Sequence, residues 1–465
     1  MKHSFLILLL TFSWGIALSE DLSKLLDIAL VNNPTLKQYR LDVQIAQAQF
    51  QQAWADFWLP DVSAGASFTY LDPDTVNRGK MTVPQYTMTN LNLPVMNGGI
   101  PTGEYVPVPT MIPSGVTTNQ TVFADNYGIQ LQIAKPLFVG FRLANNLKIR
   151  ELNLRLAKQK LLDQEQSIKA SVIQSYYNLL LLKENIRLSR QLNEALRKRY
   201  EFMQANFRAG LVSDYDVLKV EVQYKNTLPT IQRLESAYTT ALQQFWLLVG
   251  TNTEPTGNLF EATNLTLSKT NESEILPSVL SNNLSLVQIR TTKEIQEYTR
   301  RIQQADRLPT VNSFFTLKYD YKITNSGDKE RNWSPSWSIG VSVSIPIDEW
   351  LPFSKNSAVL KESSLSQEKT DLTLATLEDQ IRLQVRSLLS QINDQKQAIE
   401  AQTLNMRQAQ RGLEMANDRY QKGYISSLDV TDAETSYSQA QVNYLQALYD
   451  YVNSVVKLKQ LLYEL

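Results

Sequence analysis

Cysteine is absent from the 465 residues, and histidine occurs once, as His3. Without cysteine there is no disulfide framework, no thiolate nucleophile and no cysteine-held zinc or iron–sulfur centre. His3 falls in a segment expected to be removed, so the working chain contains neither residue. That excludes histidine-based triads and nearly all transition-metal sites, and no cofactor is expected. Net charge is also absent: 46 Lys and Arg balance 46 Asp and Glu. No cation surplus is available to displace counterions from a polyanion, so nucleic acid is not an expected partner. A phosphate-binding loop of the form G-x-x-x-x-G-K-[ST] is missing too, so any energy must be supplied elsewhere.

Lys2 and His3 precede an apolar stretch from Phe5 to Ile16, closed by Ala17, Leu18 and Ser19. This order predicts a cleaved secretory leader over residues 1–19, with no cysteine after it to carry lipid. No later apolar run is long enough to span a bilayer as a helix. If the exported chain enters a membrane, it must do so with strands.

Glycine and proline are missing from Phe141 to Ala209, and Ser354 to Lys422 contains only Gly412. As continuous helix each run would reach about 100 Å, which calls for coiled-coil packing. The two runs belong to a duplication at an offset of 213. Ala209 to Val217 matches Lys422 to Val430, and Phe207, Glu221 and Tyr224 match Tyr420, Glu434 and Tyr437. Two repeats, about 20–250 and 251–465, are expected. Each returning helix carries an apolar seam at steps of four and three. One seam includes Tyr437, Ala440, Tyr444, Ala447 and Tyr451, and the other Tyr224, Thr227, Ile231, Leu234 and Tyr238. Pro229 predicts a kink in the first copy.

Four segments alternate apolar with small polar residues: Val62 to Tyr70, Tyr127 to Ile133, Val311 to Tyr321 and Ser336 to Ile345. One apolar face opposite small and polar residues suits either a sandwich or a barrel with lipid outside and water inside. Pro60, Pro136, Pro309 and Pro346 are expected at the four strand–helix junctions. The proline-rich stretch 72–124 reads as a long extracellular loop. Four strands cannot close a transmembrane barrel, and an unpaired edge in lipid costs several kcal/mol per backbone group. Other copies of the chain must complete the wall.

The doubled order, two Gly turns and the motif Ala29-Leu30-x-x-Asn33-Pro34-x-Leu36 resemble the TolC family of outer-membrane efflux ducts over nearly the whole mature chain. The resemblance implies a fold that is mainly α with a membrane β-barrel portion. It implies a homotrimer with a barrel of twelve strands in the outer-membrane lipid and a long helical barrel in the periplasm. The implied function is a passive exit duct for efflux or type I secretion. The implied partners are a periplasmic adaptor and an inner-membrane pump of the RND, ABC or MFS type.

Gly210 and Gly423 end the long helices where a left-handed residue is needed. The resemblance makes them, with Leu211 and Tyr424, the candidate adaptor-docking tips. It also places a periplasmic gate at Asp429 and Asp432, three residues apart on one helical face, joined by Asp216 and Tyr420. Three copies would gather such carboxylates into a ring that favours cations. Ser213 with Asp216, and Ser426 with Asp429, also fit helix capping, which is the default reading for Asp216. Ile425 stands where related ducts carry an arginine, so the closed tip must be held differently, with Tyr420 able to bond Asp216. Two other classes compete. A structural coiled-coil protein of the envelope leaves the four strands unexplained, and a carboxylate hydrolase needs an acid pair across a cleft.

Overall fold

The computed structural model describes residues 20–70, 82–97, 100–119, 125–257, 259, 271–323 and 333–465. The expected leader, 1–19, lies outside them. The helices are α1 (Glu20–Asn32), α2 (Pro34–Trp58), α3 (Arg142–Arg208), α4 (Asp214–Val249), α5 (Glu272–Asn282), α6 (Leu284–Ala305), α7 (Lys355–Gln421) and α8 (Ser427–Leu462). The strands are β1 (Asp61–Tyr70), β2 (Thr82–Asn97), β3 (Ile100–Asn119), β4 (Asp125–Val139), β5 (Thr310–Ile323) and β6 (Ser334–Ser344). Two compact units result, one of Met1–Gln52, Asn146–Arg300 and Val359–Leu465, the other of Ala53–Asn145 and Arg301–Ala358. No helix among the described residues is long and apolar enough to cross a membrane.

In the second unit, β1, β4, β5 and β6 form one antiparallel sheet in that order. Its register turns the four alternating patterns into two coherent faces. Val62, Ile133, Phe315 and Ile339 lie in one row, and Ser63, Gln132, Thr316 and Ser338 lie in the next. Adjacent rows project to opposite faces, so one face is apolar and the other small and polar. Trp337 and Ile339 are 70 % and 72 % exposed, and every residue of β1 is exposed. A row of rings runs from β1 across β4 and β5 to Trp333, the residue before β6: Phe68 to Tyr127 at 4.8 Å, Tyr127 to Tyr321 at 6.0 Å, and Tyr321 to Trp333 at 5.5 Å. Such a row suits an interfacial girdle. The outer edges of β1 and β6 have no strand partner in this sheet, and these are the groups that lipid cannot satisfy.

Pro60 and Pro309 precede β1 and β5, and Pro346 follows β6, as expected. Pro136 departs from the expectation. It sits inside β4, where the pairing to β5 slips between Pro136 and Phe138; a bulge accommodates its missing N–H. The insertion 72–124, expected as irregular loop, is also corrected. Where described, it is an antiparallel ribbon of β2 with β3. Its six prolines hid the strands. In register they fall in one alternating class of pairs, such as Pro94 with Tyr105, Asn92 with Pro107 and Asn90 with Pro109. In a two-stranded ribbon every second N–H points away from the partner, so proline at those places breaks no ladder bond.

In the helical unit the duplication is literal: α3 and α7 each hold 67 residues, α4 and α8 each hold 36, and their bounds differ by 213 at both ends. Helix α4 runs through Pro229 without ending. The returning seams are buried at Leu242, Phe245 and Val249 in α4 and at Ala447, Tyr451 and Val455 in α8. All of these but Ala447 join Leu22, Ile173, Ile275 and Val385 in one core where α1, α3, α4, α5, α7 and α8 meet. Asn33 anchors this core. Its side-chain Oδ1 accepts from the N–H groups of Thr35 and Leu36 at 2.9 and 3.2 Å, and its side-chain Nδ2 donates to the Leu248 carbonyl at 2.7 Å. Asn33 therefore caps α2 while tying it to α4.

Candidate functional site

The helical tips are built by backbone rules. Gly210 and Gly423 adopt φ of 74° and 75°, the left-handed conformation that costs a side-chain-bearing residue about 1 kcal/mol or more. The N–H of Gly210 donates to the Phe207 carbonyl and that of Leu211 to the Asn206 carbonyl, each at 2.9 Å. Gly423 and Tyr424 repeat this with Tyr420 and Arg419 at the same distances. These paired bonds satisfy the last carbonyls and turn the chain sharply. They leave Leu211 and Tyr424 standing 73 % and 77 % exposed at the two points.

The next helices start at Ser213 and Ser426. Ser213 Oγ accepts from the Asp216 N–H at 3.2 Å and donates to the Asp216 carboxylate at 2.6 Å. The second tip adds one bond: the Asp429 carboxylate also accepts from the backbone N–H of Ser426 at 2.8 Å, which completes a capping box. The hydroxyl and backbone bonds from Ser426 hold the Asp429 carboxyl below the usual carboxylate range. Capping thus engages Asp429 more fully than Asp216, although the sequence favoured capping chiefly at Asp216. Asp432 takes no part in the box. It is exposed and accepts from Gln223 Nε2 of the first hairpin at 3.3 Å.

Among the described residues no hydrogen bond joins Tyr420 to Asp216; the Tyr420 ring lies instead beneath the Arg199 guanidinium, 5.4 Å from its centroid. Arg199 in turn pairs with Glu434 of α8 at 2.9 Å, with the two side chains only 14 % and 16 % exposed. This crossing between repeats escaped sequence reading, because the pair is separated by 235 positions and Arg199 has no basic counterpart at 412. Asn283 escaped as well. Its side-chain Oδ1 accepts from the Leu286 N–H at 3.2 Å, repeating the Asn33 cap on α6. The shared spacing of Asn33 to Leu36 and Asn283 to Leu286 was the available signal.

The model of the outer membrane efflux protein family matches residues 25–251 and 275–462. The chain belongs to that family. It is 22 % identical to the outer membrane protein TolC of Vibrio cholerae over 322 residues, covering 68 % of this chain and 72 % of that one. It is 21 % identical to the alkaline protease secretion protein AprF of Pseudomonas aeruginosa over 342 residues, covering 72 % and 69 %. The CmeC outer membrane channel of Campylobacter jejuni shares the fold with a TM-score of 0.72 at 16 % identity, over 96 % of this chain and 86 % of that one. The chain is accordingly an outer-membrane protein whose helical part extends into the periplasm, an exit duct for efflux or type I secretion. These relatives are channel proteins rather than enzymes.

Proposed function

We propose that three copies of this chain form one passive duct, docked by its tips to a periplasmic adaptor and an inner-membrane pump and gated at those tips by aspartate. The sheet carries the reading. Four antiparallel strands with one continuous apolar face and two free edges cannot satisfy their own backbone in lipid. Each copy added edge to edge removes two open edges, and closure removes the last. The helical unit points the same way. Leu365, Leu372, Leu383, Leu404 and Met415 of α7 are all exposed, and steps of 7, 11, 21 and 11 keep them within one helical face. That bare stripe, about 75 Å long, suits burial against a neighbouring copy.

At the tips the exposed Leu211 and Tyr424 are the contacts offered to the adaptor, since each is held out by a Gly turn rather than packed inward. Asp432 is the chief gate carboxylate. Asp429 is oriented by its capping box, and Asp432 stands beside it on the same face with a single weak partner. Three copies would set six such carboxylates around the narrow end, with Asp432 free to meet a passing cation. Single-channel recording in planar bilayers tests this. Asp432→Ala should raise conductance and lower cation preference, whereas unchanged conductance and selectivity would refute the gate. The structural coiled-coil alternative predicts no current from the wild-type protein.

A further inference from the structure

We infer that in the trimer the three β2–β3 ribbons pack on one another about the axis, face to face, through the side of each ribbon that carries Leu91, Leu93 and Val108. The inference rests on the reading of the chain as a trimeric duct, and it comes from a ribbon without a partner of its own. The ribbon is a sheet separate from the four-stranded one. Apart from each other, β2 and β3 pack extensively on no other described helix or strand. A lone two-stranded ribbon is marginal in water. Its register gives it two unlike sides. Leu91 stands opposite Val108 and Thr89 opposite Thr110, with Thr87 and Leu93 in flanking rows of the same side. Leu91, Leu93 and Val108 are all exposed. The Thr110 hydroxyl donates to the Val108 carbonyl at 3.2 Å, so it can be buried at small cost. Every second residue of this set, from Thr87 to Leu93 and from Val106 to Ile112, is Thr, Leu, Val or Ile. The alternate set holds Met88, Pro107, Pro109 and Met111 but also Asn90 and Asn92, so the first side is the one that can go dry.

Charge argues that the partner is another copy. From Thr82 to Asn119 the only charged residue is Glu104. Identical chains bring identical charges together, and like charges repel, so self-association calls for a surface without ions. A foreign partner of opposite charge would find nothing there to read. Position argues the same way. The ribbon joins the end of β1 to the start of β4, and β1 is an outer strand whose free edge a neighbour must cover. Each ribbon therefore leaves the sheet beside a seam, from the strand ends away from α2 and α3. Three sheets of four strands, spaced about 4.8 Å and tilted about 40°, enclose a barrel about 24 Å across. The 16 residues of β2 run about 50 Å, and facing sheets need about 10 Å between them. A slight inward lean brings three such ribbons together over the axis.

The prolines decide that faces meet rather than edges. Around a threefold axis an edge-to-edge contact is heterologous, so β2 of one ribbon would have to pair with β3 of the next. Pro107, Pro109 and Pro113 stand opposite Asn92, Asn90 and Tyr86, in the class of pairs whose backbone groups point away from the partner strand. The outer edge of β3 therefore lacks those three donors and cannot extend a sheet. The apolar face is the surface left to cover. Three such faces turned toward one axis make the dry interior that a single ribbon lacks.

Because the chain has no cysteine, Leu91→Cys and Met88→Cys each place a single thiol on one side of the ribbon. Each full-length variant, held one assembly to a lipid nanodisc, is treated with a short homobifunctional thiol reagent and run on a denaturing gel. Leu91→Cys should give linked pairs of chains, and Met88→Cys should stay unlinked. Hydrogen exchange supplies an independent arm. Leu91→Lys brings three like charges to the axis and should raise exchange over the paired backbone of β2 and β3 by at least about tenfold. Met88→Lys should leave it within about a factor of two of wild type. Unlinked Leu91→Cys chains, links as frequent from Met88→Cys, or equal exchange in the two lysine variants would overturn the inference. A ribbon lying singly on lipid headgroups gives the first of these results. The wild-type chains are counted in parallel by native mass spectrometry. A count other than three defeats the duct reading itself, whereas a trimer with any of those results defeats only the ribbon contact.

Discussion

Arg199→Ala is the most informative single change in the helical unit. At 2.9 Å from Glu434, the attraction is about 6 kcal/mol before desolvation at an effective dielectric of about 20. Much of that is offset by the loss of hydration when both groups leave water. Removing only the cation keeps the desolvation cost and discards the compensation. Glu434 Oε2 is already buried without a partner, and the variant also removes the Arg199 bond to Oε1. A loss of about 3 kcal/mol is expected, or roughly a 150-fold rise in local opening. Native-state hydrogen exchange in detergent micelles is the assay, read around Arg199 in α3 and Glu434 in α8. Arg199→Met with Glu434→Leu should recover most of the lost protection, because no uncompensated charge remains. Protection in Arg199→Ala within a factor of about two of wild type, or a double variant as labile as the single one, would refute the reasoning.

Other outcomes follow from the same contacts. Asp429→Ala should loosen the second tip more than Asp216→Ala loosens the first, measured by exchange at the start of α8 and α4, because only Asp429 accepts from a backbone N–H as well. The Asp429 carboxyl is held below its usual range, so its contribution is complete above the ordinary carboxylate pKa. It is lost as pH falls through the depressed value, and exchange at the α8 start should rise there. Ile339→Lys should destabilise the membrane part by about 2–4 kcal/mol in refolding titrations if it faces mid-bilayer, whereas Ser338→Lys on the polar face should cost far less. Gly423→Ala should strain the left-handed turn by about 1 kcal/mol or more and lower the unfolding temperature, with no steric clash to add to it.

The long helices and their tips were legible because their causes are local. The absence of Gly and Pro, the Gly at the end of each long helix and the Ser-x-x-Asp starts need no distant partner; α3 and α7 end, and α4 and α8 begin, within a residue or two of where those signals lie. The sheet was legible because period-two alternation survives pairing, which left only Pro136 misplaced. The ribbon β2–β3 was illegible for a physical reason: proline ordinarily argues against a strand, and its harmlessness depends on a register that local sequence does not display. The Arg199–Glu434–Tyr420 tie was hidden because only tertiary packing brings α3 beside the tips of α7 and α8. Asp429 shows a further limit. Its place three residues after Ser426 reads as a cap and its place three residues before Asp432 as a gate, and the bond from the Ser426 N–H is what establishes the capping role.

The number of chains in the detergent-solubilised protein tests the central claim most directly. Native mass spectrometry should find three, so that the free edges of β1 and β6 are each paired with a neighbour. A stable single chain released intact from the membrane would contradict the account, because its open sheet edges would then have to survive in lipid unpaired.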